Sequence, residues 1–535
     1  MIKLFPSEPE CRDALSSLKL PAIVQLTAKT DAKCTPLDLY AALKSNNPKY
    51  SYLLESVEKE KHHARFSFVG SDPDAIITVR DRRISFECRS ETPLTRHIIS
   101  SLAKVCDGAA GAGGAGGGNG SDDDHGNDYG EIRPEHDVLD ALKPIIPATK
   151  VLHSKTFDQQ VFLGGAIGYY GYDIVYDCWL DIKRQKSATT PDAQFLITSR
   201  TFVFDHLTGE IYIMLTPFID DISSENLTKT YRQAESDAAN LLSIIEEVQS
   251  EVAVSNNHHE SDKSSEMTAN TDQDMYETMV RKAKQHIIDG DIFQVVLSRR
   301  YEAKNTHDSV ELYRKLRDVN PSPYMYLFEF DDVGIVGASP ETLFTVHNRK
   351  LITNPIAGTC PRGKNDAEDA KLAEKLLSDE KEQAEHVMLV DLGRNDVRMV
   401  SKPGSVQVED YMTVRKYSHL QHIESTVTGT LQEDSDAFDA TRAIFPAGTL
   451  SGAPKIRAME LIDTLEKDAR GIYGGGVGYY TWNGDADFAI VIRTIVLAGN
   501  QMFIQAGAGI VADSDPTYEY LETERKMAAM IKVIK

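Results

Sequence analysis

The hydrophobic pattern is densest in the second half of the chain, where helical and strand spacings follow one another from residue 274 onward. Short polar turns at 483–484 and 499–500 join apolar strands, which is typical of antiparallel hairpins. Helices fall between groups of strands, so the pattern predicts an α+β fold. The predicted helices are 274–289, 308–318, 378–392, 435–444, 452–466 and 516–535, and the predicted strands are 292–302, 324–330, 333–337, 342–346, 350–353, 405–409, 413–431, 473–482, 485–498 and 501–510.

The first half shows shorter strands and two polar stretches. The glycine-rich stretch 107–131 cannot bury enough apolar surface to order itself, so we expect a flexible surface insertion. A second polar stretch, 251–272, predicts a linker between an N-terminal region, 12–250, and a C-terminal region, 273–535. The predicted strands are 22–26, 52–55, 65–69, 75–79, 84–87, 161–167, 194–204 and 211–215, with a helix at 223–248.

A short sequence repeat occurs once in each of the two regions. Residues 164–170 read GGAIGYY and residues 474–480 read GGGVGYY. This repeat suggests that the two halves contribute equivalent strands to one body.

Two helices carry pairs of glutamates three residues apart. In the predicted helix 378–392, which Gly393 is expected to end, Glu382 and Glu385 share a face with core leucines. The final helix repeats the spacing with Glu519 and Glu522. If both pairs face one cavity, they form an all-oxygen site that suits Mg²⁺. The alternative for either pair alone is a solvated acidic face.

Composition and charge narrow the possible partners. The formal net charge of −23 disfavours nucleic acid and anionic membranes as partners. No apolar run is long enough for a membrane helix, and the start MIKLFPSEPE resembles neither a signal nor a transit peptide. The 6 cysteines show no paired spacing, so neither a disulfide framework nor a zinc site is indicated. We expect a cytoplasmic protein.

A phosphate-binding loop is the main competing interpretation. The segment GTCPRGKN at 358–365 nearly matches that motif, and HVMLVD at 386–391 resembles the strand that accompanies it. The motif lacks its Mg²⁺-binding hydroxyl, because Asn365 stands in that place, and two acidic residues follow. Nucleotide binding is therefore disfavoured.

Several other residues are candidates for substrate binding. Strict alternation in 488–497 places Arg493 on an apolar strand face, where a guanidinium needs a carboxylate or another planar anion. An internal salt bridge would satisfy it equally well. The small residues Gly507, Ala508 and Gly509 let backbone N–H groups approach a ligand. The turn GTLSGAPK at 448–455 is an anion cradle or an ordinary cap, whereas His422 and Glu341 say little by themselves.

Taken together, these stretches resemble the chorismate-utilising enzyme family, and within it the component I group of anthranilate synthases. The N-terminal half matches more loosely than the C-terminal half. The matching runs are GASPETL (337–343), PIAGTCPRG (355–363), DEKEQAEHVMLVDLGRND (379–396), YSHLQHIESTVTGTL (417–431), FPAGTLSGAPKIRAMELI (445–462), YGGGVGYY (473–480) and QAGAGIVADSDPTYEYLETERK (505–526).

The resemblance implies a fold of two packed, largely antiparallel β-sheets flanked by helices. It implies Mg²⁺ bound directly by Glu385 and Glu522, and partly through water by Glu382 and Glu519. Glu341 matches the general acid that protonates the departing C4 hydroxyl of chorismate, and His422 matches a residue linked to pyruvate elimination. The residues implied in substrate binding are Gly358, Thr359, Thr449, Tyr473, Arg493, Gly507, Ala508, Gly509 and Lys526.

Two positions distinguish the members of this family. Those that add water carry a lysine where this chain has Gln294, and those that make aminodeoxychorismate carry a lysine where it has Ala357. With neither lysine, the resemblance implies ammonia as nucleophile, and thus anthranilate as product. Since no cysteine lies in a glycine-flanked turn, a separate glutamine amidotransferase subunit is expected to supply the ammonia. The competing hypothesis is a tryptophan-binding regulatory paralogue without activity.

A second site, for the inhibitor L-tryptophan, is also implied by the resemblance. Glu55 is expected to bind the amino group, and Ser56 with the backbone of 323–325 to bind the rest. A turn that leads into a buried strand would explain the sequence NPSPYMY at 320–326 equally well. The residues assigned to this site are Leu54, Glu55, Ser56, Asn320, Pro323, Tyr324 and Met325.

Overall fold

The computed structural model describes residues 3–46, 48–57, 65–107, 127–152, 157, 159–252, 266–417 and 420–535. The α-helices in these ranges are α1 (Glu8–Leu15), α2 (Pro36–Ser45), α3 (Pro93–Leu102), α4 (Val138–Leu142), α5 (Val175–Cys178), α6 (Ser224–Val252), α7 (Gln273–Ile288), α8 (Ser309–Val319), α9 (Asp366–Leu377), α10 (Glu380–Val400), α11 (Ala437–Ile444), α12 (Lys455–Leu465) and α13 (Pro516–Ile534).

The strands of the first half are β1 (Ala22–Val24), β2 (Leu26–Asp31), β3 (Tyr50–Glu55), β4 (Phe66–Ser71), β5 (Ala75–Arg80), β6 (Arg83–Cys88), β7 (Cys106–Asp107), β8 (Asn127–Ile132), β9 (Lys150–Leu152), β10 (Gly165–Tyr170), β11 (Ala193–Thr198), β12 (Arg200–Asp205), β13 (Glu210–Leu215) and β14 (Phe218–Ile219). Those of the second half are β15 (Met267–Ala269), β16 (Gln294–Lys304), β17 (Tyr324–Phe330), β18 (Val333–Ser339), β19 (Thr342–His347), β20 (Lys350–Thr353), β21 (Ile356–Pro361), β22 (Gln407–Lys416), β23 (Leu420–Thr430), β24 (Gly452–Ala453), β25 (Gly476–Thr481), β26 (Ala486–Ile490), β27 (Thr494–Ala498) and β28 (Gln501–Ile510).

Two large sheets, both built from both halves of the chain, form the molecule. One has 13 strands in the order β21-β23-β20-β19-β26-β25-β10-β11-β5-β6-β8-β7, with β22 on β23. The other has 12 strands in the order β15-β16-β28-β27-β18-β17-β3-β4-β12-β13-β2, with β24 on β16. The two sheets pack on each other through an aromatic layer that includes Tyr52, Phe162 and Tyr479, while helices cover their outer faces. The predicted fold class is confirmed.

The repeated glycine motif lies where the halves of the chain meet. Strands β10 and β25 pair antiparallel, with Gly168 directly opposite Gly478. A side chain at either glycine would collide with the backbone of the strand on its other side, at Gln194 and Asp487 respectively. The echo in the sequence therefore reflects two strands that pair with each other in the centre of one sheet.

The chain crosses between the sheets at two places where the sequence pattern predicts unbroken strands. The predicted strand 194–204 is β11 in one sheet and β12 in the other, and 485–498 likewise divides into β26 and β27. The second crossing is made at Arg493, whose φ is +52°. Alternation continues through a crossing because residues on both sides of it still face the core. Arg493 is consequently at a bend and not on a strand face.

Two further predictions of local structure are wrong. Gly393 does not end the central helix, because α10 continues to Val400. Its lack of a side chain serves close packing instead, since a Cβ there would lie 3.3 Å from Cγ of Pro355. The end of the glycine-rich stretch is also ordered, because β8 pairs with β7 and with β6. The remainder of that stretch, 108–126, and the centre of the predicted linker, 253–265, lie outside the described residues.

The structure also explains why 358–365 is not a phosphate loop. Backbone N–H groups of such a loop must point at the phosphate, but here those of Gly363 and Lys364 donate to Asp369 (2.6 Å) and Glu368 (2.8 Å). Asn365 caps α9 by accepting from the N–H of Glu368. In the part of the chain that is described, no helix is long and apolar enough to cross a membrane.

Candidate active site

The two glutamate pairs face each other from α10 and α13. Asp379 and Asp515 cap the two helices, which fixes where each first turn begins. Burial is the main cause that raises the pKa of Glu382, Glu385 and Glu519, and the charge of Glu522 raises all three further. Carboxylates distant in sequence therefore act on one another, as they must if both pairs face one cavity.

Lysine side chains partly balance this negative charge. Lys526 Nζ lies 2.6 Å from Glu522 Oε1 and 2.9 Å from the carbonyl oxygen of Gly507. Lys381 also lowers the pKa of Glu385 and Glu519. Within the described ranges, no three His, Cys, Asp or Glu side chains are grouped closely enough to hold a metal ion.

Glu341 lies between β18 and β19 and is paired with a hydroxyl group. Thr449 Oγ1 donates to Glu341 Oε1 over 2.7 Å, and the main chain of Glu341 accepts from Ile490. Burial raises the pKa of Glu341 to about 7, although the Thr449 hydrogen bond and the charge of Lys526 lower it. A carboxyl group in this state carries a proton that it can donate near neutral pH.

Arg493 lies beside Tyr473 and the segment of small residues at 507–509. Burial lowers the pKa of Arg493, while the nearby Tyr473 and Glu522 raise it. Gly507, Ala508 and Gly509 lie within β28 and pair with β16, inside the predicted strand 501–510. A side chain at Gly507 would come within 2.9 Å of the Tyr473 hydroxyl oxygen. The small residues thus let neighbouring polar groups approach the strand closely, in a space next to a guanidinium.

Gln294, the first residue of β16, closes one side of this space. It is buried, and a Cβ on Gly509 would lie 2.7 Å from its Nε2 atom. A hydrogen bond from Gln294 lowers the pKa of Glu385, so the amide also reaches the glutamates of α10. Its Oε1 atom is buried and has no hydrogen-bond partner among the described residues.

His422 belongs to the same group of residues. Its Nδ1 atom lies 3.0 Å from the carbonyl oxygen of Gly358 and 3.0 Å from Oγ1 of Thr359. Gly358 adopts φ +64°, and a Cβ there would lie 3.0 Å from Glu382 Oε2. Burial lowers the pKa of His422, and the charge of Arg493 lowers it further. The structure therefore brings together all the predicted catalytic, substrate-binding and metal-binding residues.

The residues predicted to bind tryptophan lie apart from this group, around a cavity of about 510 Å³ between the two sheets. Six of the seven line it, whereas Asn320 does not and instead follows α8. Tyr313 donates to Glu55 over 2.7 Å, and Arg317 Nε lies 3.2 Å from it. The Ser56 hydroxyl is buried and has no partner among the described residues.

The far wall of this cavity holds residues that the sequence reasoning missed. Tyr479 and Asp487 come from β25 and β26 of the other sheet, and Tyr324 donates to Asp487 over 3.0 Å. Burial raises the pKa of Asp487 to about 6. Their spacing in the sequence carries no signal, because they meet Tyr324 only through the packing of the two sheets.

The fold and the site are those of an enzyme in which a buried guanidinium, glutamates from two facing helices and a buried carboxyl group of raised pKa surround one space. Comparison with known proteins agrees with this class. A family model described as chorismate binding enzyme matches residues 121–532. The chain belongs to the chorismate binding enzyme family.

Similar proteins extend this relationship over nearly the whole chain. Anthranilate synthase component 1 of Haloferax volcanii is 44% identical, covering 96% of this chain and 94% of that protein. The protein of the same name from Thermococcus kodakarensis is 39% identical, covering 93% and 97%. The crystal structure of anthranilate synthase component I from Streptococcus pneumoniae is 35% identical with a TM-score of 0.68, covering 88% of this chain and 92% of that one.

Proposed function

We propose that this chain is the large subunit of an anthranilate synthase, which converts chorismate and ammonia to anthranilate and pyruvate in the first committed step of tryptophan biosynthesis. The observation that carries the proposal is the arrangement of Glu341 and Thr449 beside Arg493, Tyr473 and the open strand at 507–509. It occurs in a chain whose anthranilate synthase relatives align over almost its full length.

In this reaction the protein first binds two carboxylates. Arg493 and Tyr473, with backbone N–H groups of the strand at 507–509, hold the enolpyruvyl carboxylate of chorismate. The ring then lies toward Glu341, which donates its proton to the C4 hydroxyl as the C4–O bond breaks. His422, held by Gly358 and Thr359, faces the same space and takes part in the later elimination of pyruvate.

Mg²⁺ is the cofactor that this site would use. Glu382, Glu385, Glu519 and Glu522 would hold it after their carboxylates move closer together, since no three of them are grouped as ligands among the described residues. The chemistry of the donor set fits, because hard oxygen ligands that raise one another's pKa are stabilised by a divalent cation. When bound, Mg²⁺ neutralises the ring carboxylate of the substrate and orients the ring.

The nucleophile is ammonia. Water needs a base to become nucleophilic, whereas ammonia delivered without its extra proton does not. Gln294 has no proton-accepting amine, and Ala357 cannot form a covalent bond to the ring. The unpartnered Oε1 atom of Gln294 supports this assignment, since it can accept a hydrogen bond from ammonia.

A glutamine amidotransferase subunit supplies that ammonia in the cell. A glutaminase nucleophile requires a thiolate, but burial raises the pKa of Cys11, Cys34 and Cys106 to about 11. Burial likewise raises the pKa of Cys178 and Cys360. We expect the complex to work in the cytoplasm.

L-tryptophan inhibits the enzyme by binding between the sheets. The volume of the cavity falls in the range of small-molecule sites, and its walls combine aromatic rings with a few polar groups. Glu55 binds the amino group of tryptophan, and the buried Ser56 hydroxyl gains its missing hydrogen bond.

The test is product analysis of the purified chain with chorismate and a high concentration of ammonium near neutral pH, with Mg²⁺ or with EDTA. Anthranilate should form only with Mg²⁺. Accumulation of isochorismate would show that Gln294 does not select against water. Absence of any product, together with tryptophan binding, would favour the regulatory paralogue instead.

A further inference from the structure

A small cavity of about 40 Å³ adjoins Glu341 on the side of α10. Its walls are the 389–396 face of α10, the segment 353–355 and the turn 447–449. The cavity is not lined by Tyr473, Arg493 or the segment 507–509, so it lies outside the proposed substrate pocket. Glu341 and Thr449, which the proposed reaction uses on the substrate side, also line this cavity.

The cavity is large and polar enough for water. A water molecule needs about 10–15 Å³ of such volume and two to four polar partners. Four residues with polar side chains line the cavity and can serve as such partners, namely Glu341, Asn354, Asp396 and Thr449.

Asp396 is a buried acid that the proposed reaction does not yet use. The residue is 6% exposed, and Lys455 Nζ lies 2.8 Å from its Oδ2 atom. Lys455 also donates to the carbonyl oxygen of Ile444 over 2.8 Å, which fixes it at the start of α12. The charged side chains around the cavity are thus Glu341, Asp396 and Lys455, and Lys526 acts on Glu341 from α13.

The proposed reaction requires that Glu341 be reprotonated after each turnover. The ammonia that bonds to the ring releases a proton from its nitrogen, so the overall reaction consumes none, but Glu341 is left as a carboxylate. Each turnover removes the proton of Glu341, since its O–H bond breaks as the C4 hydroxyl leaves as water. The carboxylate must regain a proton before the next turnover, while substrate and product fill the pocket on its other side.

We propose that Asp396 and a water molecule in this cavity return the proton to Glu341. The water gives a proton to the Glu341 carboxylate and takes one from Asp396, which is protonated in turn from solvent through the open side of the cavity. Asp396 is a positioning residue, because it acts through Glu341 and does not touch the substrate. The inference rests on the proposed function.

The test compares Asp396→Asn with Asp391→Asn, a matched change on the same helix at a side chain that is 77% exposed. The first variant keeps an oxygen for Lys455 but carries no transferable proton. Its kcat should fall about tenfold or more, with an unchanged KM for chorismate and a larger solvent deuterium isotope effect. Formate or imidazole should restore part of kcat as its concentration rises. Asp391→Asn should match the wild type.

A second variant tests the same cavity without changing charge. Gly393→Ala places a methyl group near Pro355 and Thr353, which line the cavity, on a helix that tolerates alanine well. It should lower kcat while the melting temperature stays the same or rises, and it remains informative if Asp396→Asn does not fold.

Unchanged kcat and isotope effect in both variants would overturn the relay. A loss of kcat in Asp396→Asn that no small acid restores would point to a structural role only. If the wild type makes no anthranilate, the proposed function fails, whereas normal wild-type activity with unaffected variants rejects the relay alone.

Discussion

The chemistry of Glu341 follows from where the carboxyl group is placed. Burial raises its pKa to about 7, which is well above the ordinary value of 4.5. The acid therefore keeps its proton below about pH 7 and loses it as the pH rises further. A general acid needs that proton, so its contribution to kcat is present below this pH and lost above it.

This behaviour predicts a pH profile. With the concentration of unprotonated ammonia held constant, kcat should fall as the pH rises through about 7 if Glu341 is the acid. Glu341→Gln should lower kcat about 10²–10⁴-fold and remove that limb of the profile. A variant that keeps the limb would assign it to another group.

The proposed contact of Arg493 with the substrate predicts that replacing this arginine changes the KM for chorismate. Lysine at this position tolerates φ +52° no worse than arginine does. Arg493→Lys therefore removes only the planar guanidinium, which can donate two parallel hydrogen bonds to a carboxylate. We expect KM for chorismate to rise about tenfold or more with little change in kcat, because the contact is made before and during the reaction. Arg457→Lys, at an exposed arginine of α12, is the control.

The sequence predicts which residue types form the proposed sites, but it does not predict all of the spatial surroundings of these residues. The glutamate pairs were found because three-residue spacing fixes one face of a helix. Asp396 was not found, since nothing in the sequence shows that it borders the same cavity as Glu341. Asn320 was assigned to the tryptophan site with Pro323, but the end of α8 holds it away from the cavity.

At the scale of elements, α10 and α13 carry the proposed metal site on two rigid helices. Glu522→Gln removes one negative charge and leaves the shape of the side chain unchanged. It should abolish turnover and Mg²⁺-dependent chorismate binding, with a normal far-ultraviolet circular dichroism spectrum. Glu380→Gln, at an exposed position of α10, should behave like the wild type. Near-normal activity of Glu522→Gln would refute the assignment.

Element boundaries were predictable wherever a polar turn interrupts the pattern, as in the hairpin of β27 and β28. The predicted strand 485–498 misses the boundary at Arg493, because the chain passes there from one sheet to the other while its residues remain in the core. Alternation alone reports burial and cannot report which sheet receives a strand. The bend also sets the position of the Arg493 guanidinium, so the boundary that the sequence pattern misses is part of the proposed site.

At the scale of the whole molecule, the proposed active site and the proposed inhibitor site are separate. The first lies at 341, 493 and the facing helices, whereas the cavity that we propose for tryptophan lies between the sheets. Tyr324 joins the two regions, since its hydroxyl lies 3.1 Å from Thr342, the neighbour of Glu341. Binding between the sheets can thus change the surroundings of the acid.

This arrangement predicts variants that lose inhibition but keep activity. Ser56→Ala removes a buried hydroxyl that has no partner among the described residues, so the free energy of unfolding should change by less than about 0.5 kcal/mol. The inhibition constant for tryptophan should rise about tenfold, the equivalent of one hydrogen bond. Met325→Thr should act in the same direction. Normal inhibition in both variants would place the inhibitor elsewhere.

The most direct test of the account is to locate a divalent cation in crystals soaked with Mn²⁺ and chorismate, by anomalous scattering. We expect one strong peak between Glu385 and Glu522, with the substrate reaching from it toward Arg493. A peak at another place, or chorismate bound with no cation between the two helices, would contradict it.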